Sequence, residues 1–274
     1  MYVDSHCHLS FAELAERIEE IRTAMASARV DRALCICTTL EEFDQVHALA
    51  TRYDNFWCSV GVHPDSEGVR EPSVDDLVAG AARARVVAIG ETGLDYYRLN
   101  GRSIADMAWQ RERFRVHIRA ARQTRLPLVV HTRSASDDTL AILREERASP
   151  GEPGGPGGVF HCFTETQAVA RAALDLGFDI SFSGILTFKT AQALRDVAAF
   201  VPLSRCLIET DSPYLAPVPH RGRPNSPAYV PWVAQQLAAV KGLSLDLVAQ
   251  ATSENFERLF KLPPAPAVSA ARNA

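Results

Sequence analysis

Residues 86–93 read VVAIGETG, in which the apolar run Val86–Ile89 predicts a buried β-strand and Glu91 stands at its end. The segment from Ser103 to Thr124 behind it has the length and apolar periodicity of an amphipathic helix. A strand followed by a helix is the unit of α/β folds, because parallel neighbouring strands need a crossover connection. This segment therefore predicts an α/β fold in which the same unit is repeated.

The same unit recurs along the whole chain. Apolar or β-branched runs that predict strands lie at Tyr2–Asp4, Ala33–Cys37, Phe56–Val60, Val86–Ile89, Leu128–Val130, Gly158–Phe160, Phe178–Phe182 and Arg205–Ile208. Most of the segments between them, such as Phe11 to Val30, have the pattern of amphipathic helices. Eight units predict a single-domain (β/α)8 TIM barrel over residues 1–262, followed by a Pro/Ala-rich disordered tail at 263–274. An open doubly wound sheet is the alternative, but its usual GxGxxG is absent after the first strand.

The composition is that of an ordinary globular protein, with 47% hydrophobic and 23% charged residues in a chain of 274. A net charge of −4 argues against a protein that coats nucleic acid by bulk charge, although a few phosphates can still be held locally. No apolar stretch reaches the length of a membrane span, and the six cysteines form no CxxC pair. We predict a cytoplasmic protein with no membrane contact and no obligate protein partner.

Side chains typical of metal ligands follow the predicted strands at their C-terminal ends. They are His6, His8, His63, Glu91, His131, His161 and Asp211. A lone histidine in an apolar run is usually a structural core residue. Because the strand ends of a barrel converge on one mouth, where enzymes of this fold carry out chemistry, the repeated pattern predicts an active site instead.

The donor types point to metal ions rather than to a thiolate site. Imidazole and carboxylate groups without cysteine suit Zn²⁺, Mn²⁺, Fe²⁺ or Ni²⁺. Four ligand histidines out of these five, together with the two carboxylates, make six groups, which exceed what one ion needs and suit two ions that share a bridging ligand. Glu91 lies near the middle of the strand order and is the candidate bridge, while Asp211 is the candidate general base.

Several segments together resemble the TatD-family metal-dependent deoxyribonucleases, a branch of the amidohydrolase-like barrels. They are VDSHCHL at 3–9, VGVHP at 60–64, AIGETGLDYY at 88–97, HTR at 131–133, HCF at 161–163, LIETDSPYL at 207–215 and RGRPN at 221–225. The resemblance covers nearly the whole chain and departs from the family pattern at Ser10 and Thr92. It implies a hydrolase of DNA phosphodiesters that acts from the 3′ end of single strands.

The resemblance also implies roles for individual residues. The first divalent metal would be held by His6, His8, Glu91 and Asp211, and the second by Glu91, His131 and His161. The ions would be Mg²⁺, Mn²⁺ or Zn²⁺, and His63 would face a substrate phosphate. Asp4 and Glu209 each stand two residues before a predicted ligand and are expected to orient imidazoles.

Substrate phosphates need positive donors at the same mouth. Arg133 and Arg223 are the main candidates for contact with substrate phosphates, and Arg98, Lys189 and Arg221 are further cations in predicted loops. Aromatic side chains could stack bases or pack the rim of the barrel, and both readings stay open for Tyr96, Tyr97 and Phe188.

Two other functions fit the same residues. A related amidohydrolase-type enzyme would cleave a small ester, lactone, amide or phosphotriester, because a fold does not determine a substrate. Arginine and lysine donors at the rim favour a polyanion over a small neutral ester. No lysine follows the fourth strand to bridge metals after carbamylation, and Glu91 stands there instead. A metal-stabilised binding protein is the third reading.

Overall fold

The structure is a computed structural model that describes residues 1–263. Its strands are β1 (Tyr2–Cys7), β2 (Val30–Cys35), β3 (Phe56–Val60), β4 (Val86–Asp95), β5 (Leu128–Arg133), β6 (Gly158–Phe160), β7 (Asp179–Phe182) and β8 (Cys206–Ile208). Its α-helices are α1 (Ala12–Ala15), α2 (Ile18–Ser27), α3 (Phe43–Arg52), α4 (Val74–Ala81), α5 (Ala108–Thr124), α6 (Ser136–Glu145), α7 (Gln167–Asp175), α8 (Gln192–Phe200), α9 (Val230–Lys241) and α10 (Leu245–Phe260). Short 3₁₀ helices lie at Ala105–Met107, Gly184–Thr187, Leu203–Arg205 and Pro227–Tyr229.

The eight strands form one parallel sheet in the order β1 to β8. Hydrogen bonds join its two edges. The Ser5 hydroxyl donates to the Ile208 carbonyl at 2.9 Å, and the amides of His8 and Asp211 donate to Ser212 and His6 carbonyls at 2.8 and 2.9 Å. The predicted single-domain (β/α)8 barrel is confirmed.

The hydrophobic core has two layers. One cluster takes a residue from each of seven strands, for example Val3, Val129 and Val159, and includes Phe256 and Phe260 of α10. A larger cluster contains the residues that alternate with these and packs against the helices. Alternation along a strand places residue i+2 on the same side. The inward positions of Val129 and Val159 therefore continue to His131 and His161 at the mouth.

The strands β3 and β6 have the predicted bounds, Phe56–Val60 and Gly158–Phe160. Strand β4 extends beyond its predicted end at Ile89, as far as Asp95. The predicted helix from Phe11 to Val30 is divided into α1 and α2. The predicted tail lies, apart from Pro263, outside the described residues. Within residues 1–263 no helix is both long and apolar enough to cross a membrane.

Candidate metal centre and active site

A cavity of about 620 Å³ opens at the C-terminal ends of the strands. Its surface includes six of the side chains singled out from the sequence, namely His8, His63, Glu91, His131, His161 and Asp211. His6 is completely buried directly beside Glu91. The structure thus brings all seven predicted strand-end residues into one cluster.

Glu91 lies at the centre of this cluster, and its two oxygens face different histidines. Oε2 is 3.3 Å from Nε2 of His6. Oε1 is 2.7 Å from Nε2 of His161, 3.2 Å from Nδ1 of His131 and 3.3 Å from Nε2 of His63. One carboxylate therefore reaches two groups of nitrogen donors.

The group on the Oε2 side contains His6, His8 and Asp211. Nε2 of His6 is 3.3 Å from Nε2 of His8 and 3.6 Å from Oδ1 of Asp211. Nε2 of His8 is 3.2 Å from the same Asp211 oxygen. The His6 ring also stacks on His161 with 3.9 Å between centroids, which links the two sides of the cluster.

On the Oε1 side, two further carboxylates contact the ring nitrogens of His131 and His161 that point away from Glu91. Nε2 of His131 is 3.1 Å from Asp95 Oδ2, and Nδ1 of His161 is 3.3 Å from Glu209 Oε1. Such contacts select the tautomer and the orientation of a ligand histidine. Sequence reasoning had singled out Glu209 but not Asp95. The even spacing from Glu91 to Asp95 on one strand was the signal that could have found it.

Gly93 lies between Glu91 and Asp95 on β4. A Cβ atom at this position would lie 2.0 Å from the carbonyl oxygen of His131, and the φ angle of Gly93 is +129°. Only glycine allows β4 to approach β5 this closely at that backbone angle. The glycine therefore helps to place His131 opposite Glu91.

Asp4 has a different position from the one predicted. Its carboxylate accepts hydrogen bonds from the Thr210 amide at 2.9 Å, from the Thr210 hydroxyl at 2.5 Å and from the His6 amide at 3.3 Å. Its described hydrogen bonds go to backbone and hydroxyl groups rather than to an imidazole. Asp4 thus joins β1 to the segment after β8, and complete burial raises its pKa to about 7.

The segment that carries His63 is held by α5. Nε2 of His117 accepts the Val62 amide at 2.9 Å, and the Arg113 guanidinium donates to the carbonyls of His63 and Ser66 at 2.8 Å each. His117 and Arg113 are one helical turn apart and therefore share a face of α5. Neither was singled out from the sequence, because a histidine and an arginine within a helix give no sign of a distant partner.

The segment that carries Asp211 is held by Asn225, whose side chain is buried. Its amide nitrogen Nδ2 donates to the carbonyls of Thr210 at 2.8 Å and Tyr214 at 2.7 Å, and its backbone amide donates to the Pro213 carbonyl. The RGRPN motif at 221–225 thus supplies, through its asparagine, a support for Asp211.

Charges within the cluster displace pKa values strongly. Burial by itself would raise the pKa of Glu91, yet the imidazoles of His161, His63 and His6 hold that pKa well below its usual range. Against the effect of burial, Glu91 and Glu209 hold the pKa of His161 well above its usual range. Burial and the charge of His161 lower the pKa of His6. The Glu91 carboxylate is thus kept ionised, and its charge favours a protonated His161 beside it.

The residues fit divalent metal ions. Three groups have donor atoms within 4.8 Å of one another: His6, His161 and Asp211; His6, His8 and Glu91; and His63, Glu91 and His131. Imidazole nitrogens face each other at 3.3 and 3.4 Å, an arrangement that a cation between them would stabilise. His63, predicted to face substrate, lies among these possible donors.

The predicted cationic residues divide into two sets. Arg98 and Arg133 line the cavity, and the Arg133 guanidinium lies 3.6 Å from the centroid of the exposed Tyr97 ring. Arg223 is exposed but is not among the described residues that line the cavity, and its amide donates to the His220 carbonyl at 3.3 Å. Arg221 instead packs over Phe188 at 3.8 Å.

Of the aromatic candidates, Tyr96 is a packing residue. It is buried, and its hydroxyl donates to Asp138 at 2.7 Å. The cavity is lined instead by two aromatic rings that sequence reasoning did not single out, Phe11 and Tyr214. Tyr214 lies within the LIETDSPYL segment, three residues after Asp211, and that proximity was the available signal.

Comparison with known proteins agrees with this architecture. A family model described as TatD related DNase matches residues 3–261. The uncharacterized metal-dependent hydrolase YcfH of Escherichia coli (strain K12) is 47% identical over 264 residues, covering 95% of this chain and 96% of that protein. A Citrobacter rodentium (strain ICC168) protein named 3'-5' ssDNA/RNA exonuclease TatD is 34% identical over 263 residues, covering 94% and 97%. The crystal structure of YJJV, a TatD homologue from Escherichia coli K12, has a TM-score of 0.87 at 29% identity and covers 96% of this chain and 98% of its own.

Proposed function

The chain belongs to the TatD family of metal-dependent hydrolases, and on that premise we propose that it hydrolyses phosphodiester bonds at the 3′ ends of single-stranded DNA. The observation that carries this proposal is the position of Glu91 between two groups of imidazole donors at the base of an open cavity. A shared carboxylate of this kind suits two divalent ions, Mg²⁺, Mn²⁺ or Zn²⁺.

The proposed ligand sets follow the two oxygens of Glu91. One ion would be held by His6, His8, Glu91 and Asp211, and the other by Glu91, His131 and His161. Ions in such a pair activate a water nucleophile and neutralise the charge that develops on phosphate oxygens. Asp95 and Glu209 would keep the rings of His131 and His161 in place.

Asp211 is the proposed general base. Burial alone would raise its pKa, but the contact with His8 and the neighbouring imidazoles lower that pKa below its usual value. The carboxylate is therefore ionised and able to accept a proton from an attacking water. Its side chain is partly exposed to the cavity, so a water can reach it.

Phosphate recognition is proposed for Arg133, for Arg98, which also lines the cavity, and for His63, which lies among the possible metal ligands. Both arginines line the cavity, and a guanidinium binds phosphate oxygens through several N–H groups. The support for a nucleic-acid substrate is this pair of arginines in the cavity together with the name of the Citrobacter relative. A cytoplasmic location is also proposed, because all six cysteines are free thiols.

The test is hydrolysis of a 5′-labelled single-stranded oligonucleotide by metal-stripped protein after separate addition of Mg²⁺, Mn²⁺ and Zn²⁺. We expect shortening from the 3′ end that requires added metal and is absent in Glu91→Gln. Parallel assays with a lactone, a carboxylic ester and a phosphotriester provide the comparison. Metal-dependent turnover of one of these with an intact oligonucleotide would refute the proposal.

A further inference from the structure

The walls of the cavity differ in chemistry. Arg98 follows β4 and Arg133 ends β5, and these two arginines bring positive charge to one side, which Asp65 and the His131-bound Asp95 also line. The side formed after β7, β8 and β1 is apolar. Its lining residues, which we call the aromatic corner, are Phe11, Ile185, Tyr214 and Leu215. Because β4 and β5 lie across the barrel from the junction of β8 and β1, the side with the two arginines and the aromatic corner face each other across the cluster of possible metal ligands.

The two rings of the aromatic corner meet almost at a right angle. The centroids of Phe11 and Tyr214 are 6.3 Å apart, and their planes make an angle of 75°. Phe11 also stacks on His8, with 4.8 Å between centroids and 18° between planes. The corner is therefore in direct contact with a side chain of the proposed metal site.

Tyr214 is exposed and yet has a fixed backbone. Tyr214 is 54% exposed. Asn225 Nδ2 donates to the Tyr214 carbonyl at 2.7 Å, and the Tyr214 amide donates to the Asp211 carbonyl at 3.0 Å. An exposed aromatic ring on a held backbone leaves apolar surface in water without folding benefit, and it loses little entropy when a planar ligand stacks on it.

We propose that the aromatic corner binds the base of the terminal nucleotide while the remaining strand leaves over Arg98 and Arg133. This inference rests on the proposed function. A nucleobase offers a flat apolar face, which matches Tyr214 and the neighbouring aliphatic side chains. The phosphates of the remaining strand carry negative charge, which matches the opposite wall. The reacting phosphodiester then lies between them, beside Glu91 and Asp211.

The test compares two single-stranded oligonucleotides that differ only in the base of the terminal nucleotide under attack. One carries a normal base, and the other carries an abasic tetrahydrofuran residue at that position. Stacking on one aromatic side chain typically changes binding by roughly 5- to 150-fold. We expect the wild-type kcat/KM to fall by a factor in this range on the abasic strand.

Tyr214→Ala should lower kcat/KM on the normal strand by a similar factor and leave the abasic strand unchanged, with normal metal content. Tyr214→Phe keeps the ring and should behave as the wild type. Trp232→Ala is the matched control, because Trp232 is a partly exposed aromatic residue on α9 that is not among the described residues lining the cavity.

Three outcomes would overturn the inference. Equal wild-type rates on both strands, or equal losses on both strands in Tyr214→Ala, would remove the base-binding role and leave the proposed hydrolysis of DNA intact. Failure of the metal-loaded wild type to cleave any oligonucleotide would refute the proposed function and this inference together.

Discussion

Replacing His117 with glutamine tests how α5 supports the segment that carries His63. The imidazole of His117 is completely buried, donates from Nδ1 to the Arg113 carbonyl at 2.8 Å and accepts the Val62 amide at Nε2. Burial in the core lowers the pKa of His117 to about 4, and the charge of Arg113 acts in the same direction. The folded protein therefore holds this ring neutral where an unfolded chain would protonate it.

The free energy follows from the two pKa values. An unperturbed histidine has a pKa of about 6.5, so the difference is about 2.5 pKa units, or about 3 kcal/mol at 1.36 kcal/mol per unit. Because the folded pKa is the lower one, the unfolded chain binds the extra proton and acid favours unfolding. The contribution of His117 is present above pH 6.5 and is lost as the pH falls towards 4.

The assay is urea denaturation of metal-stripped protein at a series of pH values between 7.5 and 4.5, with tryptophan fluorescence as the measure of unfolding. Over this range the wild type should lose about 2.5 kcal/mol more of its unfolding free energy than His117→Gln. His47→Gln, at a partly exposed histidine on α3, is the matched control and should retain the wild-type slope. Parallel stability curves for wild type and His117→Gln would refute the reasoning.

Four further predictions concern the proposed active site. Glu91→Gln should bind less metal and lose hydrolysis while the metal-free fold melts within a few degrees of the wild type, as metal analysis and thermal melts would show. Asp211→Asn should lower turnover on the order of 10²-fold or more and change DNA affinity much less, because the amide cannot accept the proton as a base. Asp95→Ala should weaken metal affinity by about 10- to 100-fold in chelator competition, because the ring of His131 loses its partner. Arg133→Ala should weaken single-stranded DNA binding and lower the slope of log K against log salt by about 0.7.

Each of these predictions has a contrary result. If Glu91→Gln had full metal content and a normal rate, Glu91 would not be the bridging ligand between the two ions. Near-normal turnover in Asp211→Asn, with metal retained, would assign the base to another group. Unchanged metal affinity in Asp95→Ala would leave that acid a purely structural role. A salt slope for Arg133→Ala equal to that of wild type, or of the exposed control Arg144→Ala on α6, would exclude a phosphate contact.

The alternation of strand and helix was predictable because it is a local property. Inward and outward positions alternate along each strand, so the apolar pattern identifies a strand such as β3 without knowledge of its neighbours. The extent of β4 was not predictable in this way. Its last residues pair with β5, Leu94 with Thr132 and Asp95 with Arg133, and these partners lie nearly 40 positions away.

The barrel and the set of donor side chains at its mouth could be predicted from the amino-acid sequence, because both follow from spacing along single strands. The contacts between these groups and their partners could be read only from the folded barrel. It placed Asp4 on Thr210 rather than on an imidazole, His117 behind Val62, and Tyr214 beside Phe11. These contacts join residues from 55 to 206 positions apart. Local periodicity carries no information about such pairs, since strand register and helix packing bring them together only when the barrel closes.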